Sequence, residues 1–160
     1  YCDNYLEGLH IPYIHKGLNA DINHNTYKTN ILNGIVVQTA KSNNPSKSIL
    51  YDDSKGMYAY YFFVFPNIML NYYNWGISVN IIEPINKNKS RIQFLSYPIL
   101  NHRQPTDTDS SLDKVEKEDQ GIVCNVQRGI KSQFYNRGRY SAEHEKGVHQ
   151  FHRLICKYIN

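Results

Sequence analysis

Two histidines stand five residues apart, just after two acids, in Asp3-x3-Glu7-x2-His10-x4-His15. A third acid, Asp119, lies far along the chain in Glu118-Asp119-Gln120. Two neutral imidazoles and one carboxylate grouped on one side of a metal leave about three coordination positions open, which is how non-haem Fe(II) is held for oxygen chemistry. The imidazoles donate electron density and the carboxylate offsets half of the ion's charge. Each ligating imidazole also needs an acceptor for its other N–H. Asp3 and Glu7, one helical turn apart, are expected to supply it to His10 or His15.

Rival assignments of the same residues are concrete. A His-x4-His pair by itself describes two surface histidines. Asp113, Glu116 and Glu118 surround Asp119, and any of these acids could belong to a solvated helix face. His144, His149 and His152 form a second cluster, in which His149 and His152 share a helical face with Glu145 one turn earlier, the spacing of a zinc site.

The elements that must position these residues are readable in outline. Over residues 1–20 the apolar positions Leu6, Leu9 and Ile14 do not alternate as a strand would. On a regular helix His10 and His15 would point about 140° apart. Pro12 lies between them and predicts a local break, which would let both rings converge on one ion. Strands are predicted over 31–40, Tyr58 to Phe65, Ile68 to Trp75, Ile77 to Ile82 and Ile92 to Pro98 from β-branched and aromatic content, with a loop over 41–56. Turn signals at Pro66-Asn67, Asn74-Trp75-Gly76 and Asn86-Lys87-Asn88 make neighbouring strands antiparallel. A polar loop over 101–111 leads into a helix over 111–133, marked by Leu112, Val115, Ile122, Val126 and Ile130. After a glycine-bearing loop from Tyr135 to Ser141, a last helix begins at Glu143 with Ser141 as its cap. Its stripe is Val148, Phe151, Leu154, Ile155 and Tyr158. The expected fold class is α+β, with helices gathered against an antiparallel sheet. Cys124 and Cys156 are expected in the core. Tyr60, Phe62, Tyr72 and Trp75 are expected to line a pocket between sheet and last helix.

Bulk properties narrow the function classes. A chain of 160 residues suits one domain with its own core. The net charge of +4 is scattered, without the basic surface that a nucleic-acid partner needs, so none is expected. Three cysteines, an odd number, suggest reduced thiols and a cytoplasmic location. No apolar run reaches about 18 residues, so no membrane span is expected. The 14 tyrosines read as a coding bias rather than as a functional signal. The chain opens on Tyr1 rather than methionine, as a fragment of a longer protein would.

The segment Cys2-Asp-Asn-Tyr-Leu-Glu-Gly-Leu-His-Ile-Pro-Tyr-Ile-His-Lys-Gly-Leu18 resembles the iron-site motif of Rieske-type ring-hydroxylating oxygenase α subunits. Glu118-Asp-Gln-Gly-Ile-Val-Cys-Asn-Val-Gln-Arg-Gly129 resembles the helix that brings that family's third ligand. Gly138-Arg-Tyr-Ser141 and Gly147-Val-His-Gln-Phe-His152 are also similar to it. The likeness spans nearly the whole chain and is specific at its two ends. It implies that His10, His15 and Asp119 bind a mononuclear Fe(II), with Asp119 preferred among its neighbours because it stands eight residues before Gln127-Arg128-Gly129. It implies that Glu7 links an iron histidine to a Rieske histidine of the next subunit, with Asp3 also in the catalytic constellation. Glu7 within Tyr-Leu-Glu-Gly looks like the branch acting on quaternary amines. The implied fold is a helix-grip domain, an antiparallel sheet wrapped around a long C-terminal helix. The implied reaction inserts oxygen from O2 into an aromatic ring or a quaternary amine, in a full-length homo-oligomer, often a trimer. None of the three cysteines has the Cys-x-His or Cys-x2-His spacing of a Rieske cluster. The [2Fe–2S] centre is therefore expected in a domain missing from this chain or in a partner, fed by NAD(P)H through a reductase or ferredoxin. The alternative is a helix-grip module that binds an apolar ligand without catalysis.

Overall fold

The computed structural model describes residues 1–47, 56–99 and 108–159; parts of the loops predicted over 41–56 and 101–111 lie outside them. Strands β1 (Ile22–Leu32), β2 (Ile35–Ser42), β3 (Met57–Val64), β4 (Ile68–Tyr73), β5 (Gly76–Asn86) and β6 (Lys89–Pro98) form one sheet in chain order, each antiparallel to the next. Among the described residues five α-helices accompany it: α1 (Cys2–Tyr5), α2 (Ile11–Ile14), α3 (Lys16–Asp21), α4 (Thr108–Gly129) and α5 (Lys146–Ile159). The class is α+β.

Two sequence expectations fail at the first hairpin. Residues 31–40 are not one strand: Leu32 pairs with Ile35 across Asn33-Gly34, with Gly34 at φ 76°. Asn-Gly is the turn that favours a tight hairpin, because both central residues take positive φ easily. β1 escapes a composition reading because its residues are largely Asn, His, Thr and Lys. It is an edge strand, paired only with β2 and exposed along its second half, so it needs few apolar side chains.

Period-two alternation decides what faces the helices. On β3, Ala59, Tyr61 and Phe63 are buried while Tyr60 and Phe62 point to the other side. Pairing extends this into cross-strand rows. Val36, Phe63 and Met69 form an apolar row that ends on Asn80. The adjacent row is Gln38, Tyr61, Asn71 and Ser78. The helix-facing surface thus passes from an apolar end to a buried polar end.

The apolar end is roofed by the N-terminal segment and α5. Leu6, Val36, Phe63, Met69, Ile82 and Val148 form one core cluster, with Phe151 against Phe63 at a ring separation of 5.2 Å. A second cluster joins Ile11, Ile22 and Ala40. Leu6 and Ile11 therefore root both ends of the short segment that carries His10. The stripe expected on the last helix is present through Val148 and Phe151, but Tyr158 is exposed and stacks on Phe65. Ser141 caps a turn just before α5: its hydroxyl accepts the His144 N–H and Glu145 accepts the Ser141 N–H. Cys124 and Cys156 are exposed rather than buried. Each lies roughly 100° of helical rotation from a half-buried neighbour, Val123 and Ile155. Among the described residues no helix is long and apolar enough to cross a membrane.

Close contact between α5 and the N-terminal segment depends on Gly147. A Cβ there would stand 2.8 Å from the Leu6 carbonyl oxygen and 3.2 Å from Val36. Gly147→Val is expected to destabilise the protein by about 1–3 kcal/mol through overpacking. Gly121→Ala, in α4 with nothing within 4 Å of the new methyl, is expected to stabilise by about 0.5–1 kcal/mol through helix propensity. Urea-denaturation midpoints of the two variants check both signs.

Candidate metal centre

The break around Pro12 sets the geometry of the histidine pair. Pro12 sits in the first turn of α2, where a missing N–H costs nothing. His10 precedes α2, and His15 lies at the junction between α2 and α3. Neither ring is held to the direction of a continuous helix. The two rings meet edge to face, with centroids 5.1 Å apart and planes at 83°.

α4 supplies the opposing acids. Glu118 Oε2 lies 2.8 Å from His15 Nδ1, and Asp119 Oδ1 lies 2.9 Å from His15 Nε2. His10 Nε2 faces the same Asp119 oxygen at 3.6 Å, while His10 Nδ1 is 2.5 Å from Glu7 Oε1. Glu7 Oε2 also accepts the backbone N–H groups of Leu9 and His10. Asn4 Nδ2 donates to Asp119 Oδ1 at 2.8 Å. Each imidazole is therefore held at Nδ1 by a carboxylate and turns Nε2 toward Asp119. His15 is 1 % exposed. Burial disfavours its charged form, yet the hydrogen bonds and negative charge of Asp119 and Glu118 outweigh this and raise its pKa above the ordinary histidine value.

The donor set fits a metal. Atoms bound about 2.0–2.2 Å from one ion stand roughly 3 Å apart when adjacent, close to the 2.9 and 3.6 Å found here. Among the described residues, His10, His15 and Asp119 are the one group of His, Cys, Asp or Glu whose ligand atoms all lie within 4.8 Å of one another. Mixed imidazole and carboxylate donors with acidic groups behind both rings suit a divalent first-row ion.

Other expectations land differently. Asp3 does not serve either ring: α1 ends at Tyr5, so Asp3 and Glu7 are not stacked on one helix, and Asp3 Oδ1 instead meets His152 Nε2 at 2.9 Å. His152 Nδ1 is 2.5 Å from the Tyr140 hydroxyl, and His149 packs its ring on Tyr140 at 5.0 Å. His144 leans toward Glu143 at 4.0 Å, so the three C-terminal histidines do not converge. Tyr60, Phe62 and Tyr72 line an apolar cleft with Leu70 and Ile77 on the opposite face of the sheet. The expected pocket lining had the wrong strand parity.

The cavity beside His10, His15 and Asp119 has a volume of about 80 Å³ and is walled by Tyr1, Tyr5, Tyr27, Tyr61 and Tyr73. Five of the tyrosines attributed to coding bias thus surround the candidate centre. Tyr5 donates to Asn71 Oδ1 at 2.7 Å and Tyr27 to Gln38 Oε1 at 3.1 Å. Tyr61, 8 % exposed, lies beside Tyr73, and among the described residues its hydroxyl makes no well-formed hydrogen bond. Glu116, one turn before Asp119, also lines the cavity. It accepts from the Tyr1 hydroxyl at 2.6 Å and from Asn80 Nδ2 at 3.3 Å. Burial pushes its pKa up to about 7, and the charge of Asp119 adds to this. Glu116 shares the helical stripe of Leu112, Val115 and Asp119, and an acid on an apolar stripe was the available signal for it. Glu118 carried no signal beyond standing next to Asp119.

Comparison with known proteins follows the same line. The family described as the ring hydroxylating alpha subunit, catalytic domain, matches residues 1–160. The chain is 32 % identical over 166 residues to the chloroplastic choline monooxygenase of Amaranthus tricolor, covering all of this chain and 37 % of that protein. It is 35 % identical over 160 residues to the choline monooxygenase of Arabidopsis thaliana, covering 97 % of this chain and 37 % of that one. The chain thus spans little more than a third of these relatives. The crystal structure of the quaternary ammonium Rieske monooxygenase CntA, in complex with an inhibitor, superposes with a TM-score of 0.76 at 20 % identity, over 99 % of this chain and 45 % of that one. At that identity the likeness is one of fold.

Glu116 makes stability depend on pH. Its folded pKa, about 7, lies above the ordinary 4.5, so the folded state binds this proton more tightly. The resulting stabilisation is complete below the unfolded value and is lost as pH rises through about 7. Glu116→Gln does not titrate. In metal-free protein its stability relative to the parent is expected to rise by about 1–2 kcal/mol between pH 5 and pH 8, a figure discounted for residual solvent contact. Denaturant midpoints across that range test it; a constant difference would show that Glu116 is not strained by burial.

Proposed function

This chain belongs to the family of ring-hydroxylating alpha-subunit catalytic domains, and we propose that it uses a mononuclear Fe(II) at His10, His15 and Asp119 to insert oxygen from O2 into an organic substrate. The observation that carries this reading is the convergence of both Nε2 atoms on Asp119 while both Nδ1 atoms are held by carboxylates. When bound, Fe(II) would supply the redox chemistry that activates dioxygen. The chain's own residues do the positioning. Glu7 and Glu118 fix the tautomer and plane of each ring, which places the lone pair of Nε2 and raises its basicity. Asn4 fixes the rotamer of Asp119. Tyrosine walls hold the substrate beside the centre and restrict water.

The electrons in this reading come from a Rieske [2Fe–2S] cluster on another domain or chain, supplied by a reductase. Glu7 is the proposed link to it, since it sits in contact with His10 and is only 14 % exposed at its side chain. A homo-oligomer would bring one subunit's cluster to the next subunit's iron. The sheet with α5 across its apolar end is read as a helix-grip domain. Of the two substrate classes, the quaternary amine is favoured over the aromatic ring. The relatives named for choline support it, as does a cavity walled by rings whose faces attract cations.

Reconstituted without oxygen, the protein is expected to bind about one Fe(II) per chain, the stoichiometry of a two-histidine, one-carboxylate site. His10→Ala combined with His15→Ala should abolish binding, and Glu118→Ala should weaken it about 10–100-fold by releasing the His15 ring. Iron retained by the double variant would place the site elsewhere and favour a binding module that lacks catalysis.

A further inference from the structure

Glu116 has no assigned task in holding the metal. It stands one helical turn from Asp119, lines the same cavity, and is clamped from two sides by Tyr1 and Asn80. Among the described residues no lysine or arginine lines that cavity and none forms an ion pair with Glu116. Both of its oxygens already accept a hydrogen bond, so what the carboxylate lacks is charge rather than a donor. The surrounding walls are tyrosine rings, with the buried Tyr61 beside Tyr73.

We infer that Glu116 is the specificity-determining counter-charge for a quaternary ammonium head group bound among Tyr1, Tyr5, Tyr61 and Tyr73. A fully alkylated cation asks for negative charge and ring faces and has no N–H to satisfy. Those are the two things this pocket offers. A primary ammonium seeks three acceptors, and Glu116 has already committed a lone pair of each oxygen to Tyr1 and Asn80. A neutral aromatic ring would leave Glu116 buried without a counter-charge. Size agrees: at roughly 10–15 Å³ of such volume per water, the space of about 80 Å³ corresponds to some five to eight waters, the scale of a small head group and short of a fused-ring system.

This deepens the oxygenase reading and rests on it for why a substrate should lie beside the metal. The test is calorimetric binding to the full chain, without oxygen, of choline and of its neutral isostere 3,3-dimethyl-1-butanol. The parent should prefer choline by about tenfold or more, as a desolvated cation–π site with a counter-charge would. Glu116→Gln should bring the two ligands within about twofold of each other by weakening choline and leaving the alcohol unchanged, whereas Glu116→Asp, which keeps the charge, should retain the preference. No preference in the parent, binding of neither ligand, or a preference that survives Glu116→Gln overturns the inference. Iron content measured on the same samples separates the two readings. Iron bound without cation preference sinks only the role of Glu116, and cation preference without iron sinks only the oxygenase.

Discussion

An imidazole offers one nitrogen in a fixed direction only when its other nitrogen is held, and both histidines meet that condition through a carboxylate. Glu7 holds His10 from within its own segment, while Glu118 reaches His15 from 103 residues away. Because Glu118 and Asp119 are consecutive, they diverge by about 100° around α4. One grips Nδ1 of His15 and the other faces its Nε2. Any slide or rotation of α4 would break both contacts together. The placement of α4 and the orientation of His15 are thus one constraint, and the cavity, its tyrosines and Glu116 take their positions from it.

The sheet serves that constraint as a floor. Its apolar rows anchor Leu6 and, through Val148, the start of α5. Its polar row takes over beneath the site, where Gln38 donates to the Tyr5 carbonyl and Asn71 accepts the Tyr5 hydroxyl. Asn80 closes the arrangement by donating to Glu116. Buried amides in the middle of a sheet are costly unless bonded, and here nearly every such bond runs to a residue that lines the cavity. The polar end of the sheet is shaped by the site above it, not by sheet stability.

Much of this was legible in the residues, for identifiable reasons. The convergence of His10 and His15 was expected from a local break at Pro12; the structure places His10 just before the short helix that Pro12 opens and His15 at its other end. The helix bearing Asp119 followed from the spacing of Leu112, Val115 and Ile122. The β-rich middle followed from aromatic and β-branched runs. What was lost depended on relations that a linear reading does not fix. Strand parity, set by register, sent Tyr61 inward and Tyr60 and Phe62 outward. The hairpin at Asn33-Gly34 was hidden inside a run of strong strand formers. Asp3 looked stacked under Glu7 until the early end of α1 at Tyr5 removed the turn between them. Glu118 could be found only by knowing how far α4 is rotated.

The charges around the cavity explain why these features belong together. Glu7, Glu116, Glu118 and Asp119 gather about two imidazoles, and among the described residues no lysine or arginine joins them at the cavity wall. The protein as a whole carries +4, so the negative cluster is local and not a consequence of composition. Buried carboxylates without partners cost several kcal/mol each, and two neighbouring groups show how protons offset that cost. His15 holds its proton more firmly than an ordinary histidine, and Glu116 resists losing its own. Both are protons standing where positive charge is wanted. A divalent ion at the Nε2 atoms and Asp119 would take the place of the first, and a cationic head group beside Glu116 the place of the second. Carboxylates fixed by the fold at these positions supply electrostatic stabilisation that is built in beforehand, and such preorganised groups let a pocket act on a bound molecule without rearranging around it.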